Sequence, residues 1–534
     1  MEYKIKWYDW SEEAFERAKA EGKPIFLYIT AVWCHWCHKL RDDTLNNDEI
    51  SKIVEENFIP IRVDTDRRPD INERYNMGGW PTVAVLTPDG ATITGGTYFP
   101  PAQMKVFLNN AINFYKENKD NIRIGRYEQP QERYAELNES MIADIADIVV
   151  SYFDADYGGF GREPKFPMPE ALELLIMLHK KDKHFTKMVT ITLDKMAALA
   201  DKYAHGFFRY SVTQDWRHPH YEKMLETNAK IIVNYLHGYQ ITANEKYREI
   251  AEQTISYIIN TLSDGTVFFG SQDADGEEEY YGKTLEERKK LPEPYIDKTV
   301  HTNWNAMMIS ALLEASVILD NNEYKKIALK TIDFLLDNCF DKCMYHYFDG
   351  ENHLPGLLSD QIYFIRALLD AFEITQDRKY VELAEKIAVW CLSNLKYGKG
   401  FFDRVKGDVG NLAISNKPIT ENSMAADCFL RLAFFTGNEE YRKIAEEVLS
   451  AFSFSHVDYG IHAAPFALAL EKFLNSVEIK APENEIKQLL KWPEPRKMLM
   501  QTSEKGIFTC ARGLCQKFGN YEDFVKNFSI NVTN

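Results

Sequence analysis

The run Val32-Trp33-Cys34-His35-Trp36-Cys37-His38 sets two thiols three positions apart, with one imidazole between them and another directly after. It follows an apolar run that reads as a buried strand, so the pair opens a helix. Unpaired N–H groups and the helix dipole at such a position favour a thiolate on Cys34, and Cys37, one turn later, can resolve a mixed disulfide. A protonated His35 adds to that preference, and Trp36 and His38 complete the redox neighbourhood. The same letters fit a C-x-x-C-H haem-attachment pattern, but no export signal precedes them. Zinc requires four ligands, and neither a second C-x-x-C nor an H-x-x-x-H lies nearby, so no metal and no cofactor is expected. Cys510 and Cys515, spaced C-x4-C, read as ordinary thiols at a strand end rather than as a partner dithiol.

A second group of residues could handle a sugar. Trp and Tyr rings stack on the apolar face of a pyranose, while Asp, Glu and His bind hydroxyls or move protons. The candidates are Asp215, Trp216, His220 and Glu222, then Asp273 and Asp275, Trp304 and Asn305, Asp360, and Asn422. Each has a plainer reading. His220 with Glu222 can be a helix N-terminal pair, Asp273 and Asp275 can brace a turn, and Trp216 and Trp304 can be core. Asp215, in an Asp-x-x-His setting, is placed to orient an imidazole.

These residues need elements to hold them. Ser11 caps a helix through Ala14, Phe15 and Ala18, and Gly22 and Pro24 lead into the strand Ile25 to Ile29. After the dithiol come a helix to about Val54, a strand Phe58 to Val63, a polar turn Asp64 to Asp70, a strand Thr82 to Leu86 and a helix over roughly 101–115. This alternation predicts a small α/β sheet layered by helices. Beyond a charged stretch, twelve helical patterns follow. Tyr-x-x-(Ile/Leu)-Ala recurs at Tyr247, Tyr324, Tyr380 and Tyr441, each after a polar turn, and marks the second helix of a hairpin. Twelve helices in six hairpins predict an (α/α)6 toroid, with the polar strings in its axial loops. The expected division is an α/β domain over 1–120, a linker over 121–132, the toroid over 133–475 and a small α+β appendix over 476–534.

The 534 residues carry 63 basic and 80 acidic side chains, a formal charge of −17, which repels phosphate backbones and anionic lipid. Nucleic acid and membrane are therefore not expected partners. With 45% apolar and 13% aromatic residues the chain is globular. Eight cysteines are too few for a disulfide scaffold, and the chain reads as cytoplasmic.

The front end resembles the thioredoxin fold family, through Cys34 and Cys37, Val63-Asp64-Thr65-Asp66 with Pro69, and Gly79-Trp80-Pro81-Thr82. The resemblance implies that Pro81 is cis and that the backbone beside it, next to Trp80, docks extended substrate near Cys34. Tyr28 stands where typical thioredoxins bury an acid. Over nearly the whole chain the sequence resembles the spermatogenesis-associated protein 20-like family, which joins a thioredoxin domain to a six-hairpin glycosidase-like barrel. Asp9-Trp10, Arg68-Pro69-Asp70, Gly95 to Pro100, Pro164 to Pro167, Pro219 to Leu225, Asp273-Ala274-Asp275 and Trp304-Asn305 carry that resemblance. It departs at Gln272 and Phe208, where the family usually has Glu and His. The implied protein is a thiol–disulfide oxidoreductase with a protein thiol or disulfide partner, whose barrel binds a small polar, carbohydrate-like ligand. Two alternatives follow from the same resemblance: a sugar epimerase, isomerase or glycoside hydrolase active in carbohydrate metabolism, with the thioredoxin domain regulatory, and a non-catalytic recognition protein.

Overall fold

The computed structural model describes residues 3–119, 121–122 and 133–528. The expected linker over 121–132 lies, apart from its first two residues, outside the described residues. The chain divides into two compact units, one of Met1–Gln131 with Gln272–Glu277 and Arg404–Asn416, the other of the remaining residues.

The first unit is an α/β sheet with helices on both faces. It runs α1 (Glu12–Glu21), β1 (Ile25–Thr30), α2 (His35–Lys39), a π-helical turn Leu40–Leu45, α3 (Asp48–Asn57), β2 (Ile59–Asp64), α4 (Pro69–Tyr75), β3 (Thr82–Leu86), β4 (Thr92–Gly96) and α5 (Pro101–Asn118). The strand order is β2-β1-β3-β4, with β1 parallel to β2 and antiparallel to β3. β1 is apolar at nearly every position because both of its faces are covered. Ile25, Leu27 and Ile29 pack with Phe15, Ile71 and Tyr75 on one face, and Phe26 and Tyr28 pack with Val54, Met104 and Leu108 on the other. Two elements differ from the sequence expectation. The polar turn ends early, since Pro69 at the first helical position starts α4, and Thr92–Gly96 forms an edge strand despite its two glycines. Gly95 is required there, because a Cβ would lie 2.9 Å from both Met77 and the Val83 carbonyl.

The second unit is built on six helical hairpins. The inner helices Pro169–Met177, Leu225–Thr242, Thr302–Ile318, Leu358–Thr375, Ile419–Thr436 and Ala464–Asn475 contact one another in sequence, and the last returns to the first, closing a ring. The outer helices explain the Tyr-x-x-(Ile/Leu)-Ala repeat. Asn244, Asn321, Asp377 and Asn438 each cap one by accepting a backbone N–H, and the alanine four residues after each repeat tyrosine is fully buried. The C-terminal residues form a four-stranded sheet, in the order Lys497–Gln501, Val477–Ala481, Ile507–Ala511, Leu514–Phe518, and Cys510 and Cys515, directly opposite each other on the last two strands, form a disulfide, which corrects their reading as ordinary thiols. This sheet is tied to the barrel: the Leu499 and Gln501 N–H groups donate to Glu373 and Gln376 at 2.9 and 2.7 Å.

Candidate functional site

Cys34 is the N-cap of α2, and the Cys37 N–H donates to its Sγ at 3.2 Å. The two cysteines form a disulfide with their Cα atoms 5.2 Å apart. The Trp80–Pro81 peptide is cis. The loop bearing it is wired internally, since Asn76 Oδ1 accepts from the Gly78 and Gly79 N–H groups and Thr82 Oγ1 donates to the Gly79 carbonyl. Trp33 and Trp80, the neighbours of Cys34 and Pro81, meet edge to face at 5.7 Å, which brings the dithiol turn to the proline loop. Trp33 Nε1 donates to Asp66 and Trp80 Nε1 to Asn72. Trp36 is 47% exposed and packs its edge on Tyr98.

Cys34 is only 4% exposed in the disulfide. The Gln272–Glu277 segment, part of the same unit, approaches the dithiol turn, with Glu277 within 3.5 Å of His35. Tyr28 donates to the Cys37 carbonyl at 3.1 Å, and burial pushes its phenol far above the ordinary value, so it stays protonated and cannot take a proton from a thiol.

Asp273 and Asp275 belong to the first unit, where they face the dithiol side chain His38. Its Nε2 is 3.7 Å from Asp273 Oδ2 and its Nδ1 is 3.5 Å from Asp275 Oδ1.

In the second unit His220 is gripped by Glu222, Nδ1 to Oε2 2.5 Å, and stacks on Tyr210. Burial, aided by the Glu222 charge, pushes the Tyr210 phenol up to about 12. Asp215 is held instead by the Thr213 hydroxyl at 2.6 Å, a bond that keeps its carboxyl below the usual range, and lies 3.9 Å from His218. Trp216 is fully buried and donates to the Tyr157 carbonyl. Trp304 packs on His301. Asp360 accepts from His346 Nδ1 at 3.0 Å, and burial pushes its carboxyl up against the pull of that ring. Sequence reasoning missed His301 and His346.

Asn305 and Asn422 prove to be parts of a repeated device. Asn228, Asn305, Gln361 and Asn422 each sit at the fourth residue of an inner helix. Their amides accept from and donate to the backbone of Phe207, Phe268, Met344 and Phe401 respectively, and donate as well to a carbonyl of the same helix start. Each amide pins the strand-like entry of one hairpin to the ring.

The barrel axis holds a cavity of about 320 Å³ between the inner helices and the Trp492–Met498 segment. None of the sequence candidates lines it. Its polar wall comes from helix-interior positions such as Glu173, His237, Glu314, Arg366, Asp427 and Lys472. His237 bridges Glu173 and Glu314 at 2.6 and 2.5 Å. Burial alone would lower its pKa, but the two carboxylates raise it well above the ordinary value. Charged residues at helical spacing inside otherwise apolar helices are the sequence signal that marks this cavity.

Fold and site together define a thioredoxin-like domain with a C-x-x-C dithiol, joined to a six-hairpin barrel. Residues 1–132 match the family Thioredox_DsbH, described as a protein of unknown function, DUF255. Spermatogenesis-associated protein 20 of Homo sapiens is 25% identical over 84% of this chain and 76% of its own length. A disulfide bond reductase, DsbH, of Chlamydia pneumoniae is 24% identical over 16% of this chain and 58% of its own. A solved D-mannose isomerase superposes with a TM-score of 0.51 at 11% identity, covering 64% of this chain and all of that one, a likeness of fold. The chain is a homologue of the spermatogenesis-associated protein 20-like proteins, which match most of its length. Among the described residues no helix is long and apolar enough to cross a membrane.

Proposed function

We propose that the first unit exchanges disulfides with a protein partner through Cys34 and Cys37, and that the barrel cavity binds a small uncharged polyhydroxylated ligand. The observation that carries the redox reading is the Cys37 N–H aimed at Cys34 Sγ at the start of a helical segment, where it would stabilise charge on that sulfur once the disulfide is reduced. In the reducing direction the Cys34 thiolate attacks the partner disulfide. A Cys34–partner bond forms as the partner's S–S bond breaks, and one partner sulfur leaves as a thiolate. Cys37 then gives up its proton to solvent and attacks Cys34. This releases the second partner thiolate and leaves the Cys34–Cys37 disulfide, so two electrons pass to the partner. The relative named as a disulfide bond reductase supports that direction.

The experiment is a Cys37→Ser trap in the full chain. Mixed disulfides that involve Cys34 and vanish in the Cys34→Ser/Cys37→Ser double variant are the expected result. A reduced Cys37→Ser protein that captures no disulfide-bearing protein or peptide overturns the reading.

The ligand reading rests on the cavity's charge balance. Seven acidic and seven basic side chains, counting His237, line it. The charges pair with one another: besides the His237 bridge, Lys472 meets Asp427 at 3.1 Å, Lys230 meets Glu170 at 3.0 Å, and Arg431 meets Asp370 at 2.7 Å. A wall neutralised in this way offers donors and acceptors to hydroxyls without selecting a charged group. Thermal melts of the full chain with monosaccharides and disaccharides test it, because a ligand bound only by the folded state raises the midpoint. A cavity-filling substitution such as Ser310→Leu should abolish any such rise.

A further inference from the structure

We propose that His38, Asp273 and Asp275 hold a divalent first-row transition-metal ion next to the dithiol. One ligand atom from each of the three side chains falls within 4.8 Å of the others. Atoms bound at about 2.1 Å around one ion lie about 3.0 to 3.5 Å apart. The 3.5 Å between His38 Nδ1 and Asp275 Oδ1 matches that span and is long for a direct hydrogen bond.

The second observation lies outside the cluster. His38 Nε2 is 2.9 Å from the Val32 carbonyl, which can only accept, so Nε2 carries a proton and, in the neutral ring, Nδ1 presents its lone pair on the side of Asp275. An imidazole whose far nitrogen donates to a backbone carbonyl is the arrangement that fixes the tautomer and orientation of a metal ligand.

Burial and charge complete the site. Asp273 is 1% exposed and Asp275 53%, so one carboxylate anchors the ion from inside while the other leaves an entry path. One neutral imidazole and two carboxylates carry a formal charge of −2, which a divalent ion neutralises. This mixed N/O set, without thiolate, suits manganese, iron, cobalt or zinc with the remaining positions open to water. Spacing along the sequence gives no sign of this site, because two of its three ligands, Asp273 and Asp275, sit far along the chain from His38.

Cobalt(II) is the probe, added to the metal-free full chain with the Cys34–Cys37 disulfide intact. The expected result is one saturable equivalent with d–d absorption and no sulfur-to-cobalt charge-transfer band. Asp275→Asn, at a half-exposed position, and His38→Gln should each weaken it at least tenfold, while circular dichroism confirms the fold. Absence of saturable binding to the wild-type chain, or binding unchanged in both variants, overturns the proposal. A charge-transfer band would do so as well, since it would place the ion on a thiolate.

Discussion

Asp201 offers a quantitative test of how the barrel holds its polar entry. Its carboxylate is fully buried and accepts from Lys223 Nζ at 2.8 Å, from Arg288 at 2.7 and 2.9 Å, and from the Tyr203 and Ala204 N–H groups at 3.0 and 3.1 Å. Both cations are buried, Lys223 beside Tyr257 and Phe208 and Arg288 at 5% exposure, and apart from Asp201 they donate to neutral carbonyls, of His205 for Lys223 and of Lys283 and Tyr281 for Arg288. Asp201→Asn keeps the shape and removes the charge. Orphaning a buried charge costs about 3 to 5 kcal/mol. The substitution should therefore cost about 4 kcal/mol at pH 7, which lowers the barrel's melting midpoint by on the order of 10 °C. The pH profile is the sharper signature. Burial works against the Asp201 carboxyl, but the Arg288 hydrogen bonds and the Lys223 charge hold it far below its ordinary 3.8. A depressed acid contributes stability above its unfolded pKa and loses it as pH falls toward the folded one, so the gap between wild type and variant should close below about pH 4. At the other end, burial lowers Lys223 to about 8, and above that pH its charge, and with it part of the penalty, disappears. Melts followed by circular dichroism from pH 3 to 9 should show the largest deficit between these limits. A loss below about 1 kcal/mol at pH 7, or a deficit constant across the range, would refute the assignment.

Truncating the amide clamps Asn228, Asn305, Gln361 or Asn422 to Ala leaves buried backbone groups unpaired and should cost about 2 to 3 kcal/mol each; paired variants should add within about 0.5 kcal/mol, read by urea titration. The Glu173 and Glu314 carboxylates hold the proton on His237, so it contributes stability that is complete below pH 6.5 and fades as pH rises through its elevated folded value. His237→Gln should remove that alkaline slope and cost about 3 kcal/mol at pH 7, and an unchanged slope in calorimetry would count against the bridge. The oxidised protein should resist iodoacetamide, and reduction should expose Cys34 as the fast-reacting thiol of the first unit; Cys515, freed from its exposed disulfide with Cys510, labels as well, and mass spectrometry separates the two sites. Burial pushes the pKa values of Cys339, Cys343, Cys391 and Cys428 up, which keeps them silent in this assay.

What the sequence made legible was local. The apolar run at β1, the thiols at the start of α2 and the proline loop before β3 sit within a few residues of their signals, so periodicity and turn chemistry suffice to place them. The outer helices were legible because an Asx cap and a buried Tyr and Ala repeat at fixed spacing. Where the structure goes beyond the sequence, the reason is distance along the chain. Asn305 reads as a pocket amide until Phe268, 37 residues earlier, is seen to take both its donor and its acceptor. Edge strand β4 hides behind its glycines, because its conformation is set by pairing with β3 rather than by propensity.

The same distance argument decides which residues matter chemically. Asp273-Ala-Asp275 lies in an acidic insertion of the helical region, and composition assigns it to the barrel. The fold returns it to the α/β unit, against the histidine that follows Cys37. The barrel's axial wall, conversely, is assembled one to three charges at a time from six helices, each of which reads alone as an ordinary buried segment with a few stray polar residues. A charge on the inner face of a ring helix is costly unless its partner stands across the axis or along the same helix, and the partners found, Glu173 and Glu314 on His237 or Asp427 on Lys472, come from different hairpins. Such pairs therefore fix the relative rotation of neighbouring hairpins as well as the polarity of the cavity, which is why a ligand site at this position is read from inter-helix charge pairing and not from any motif.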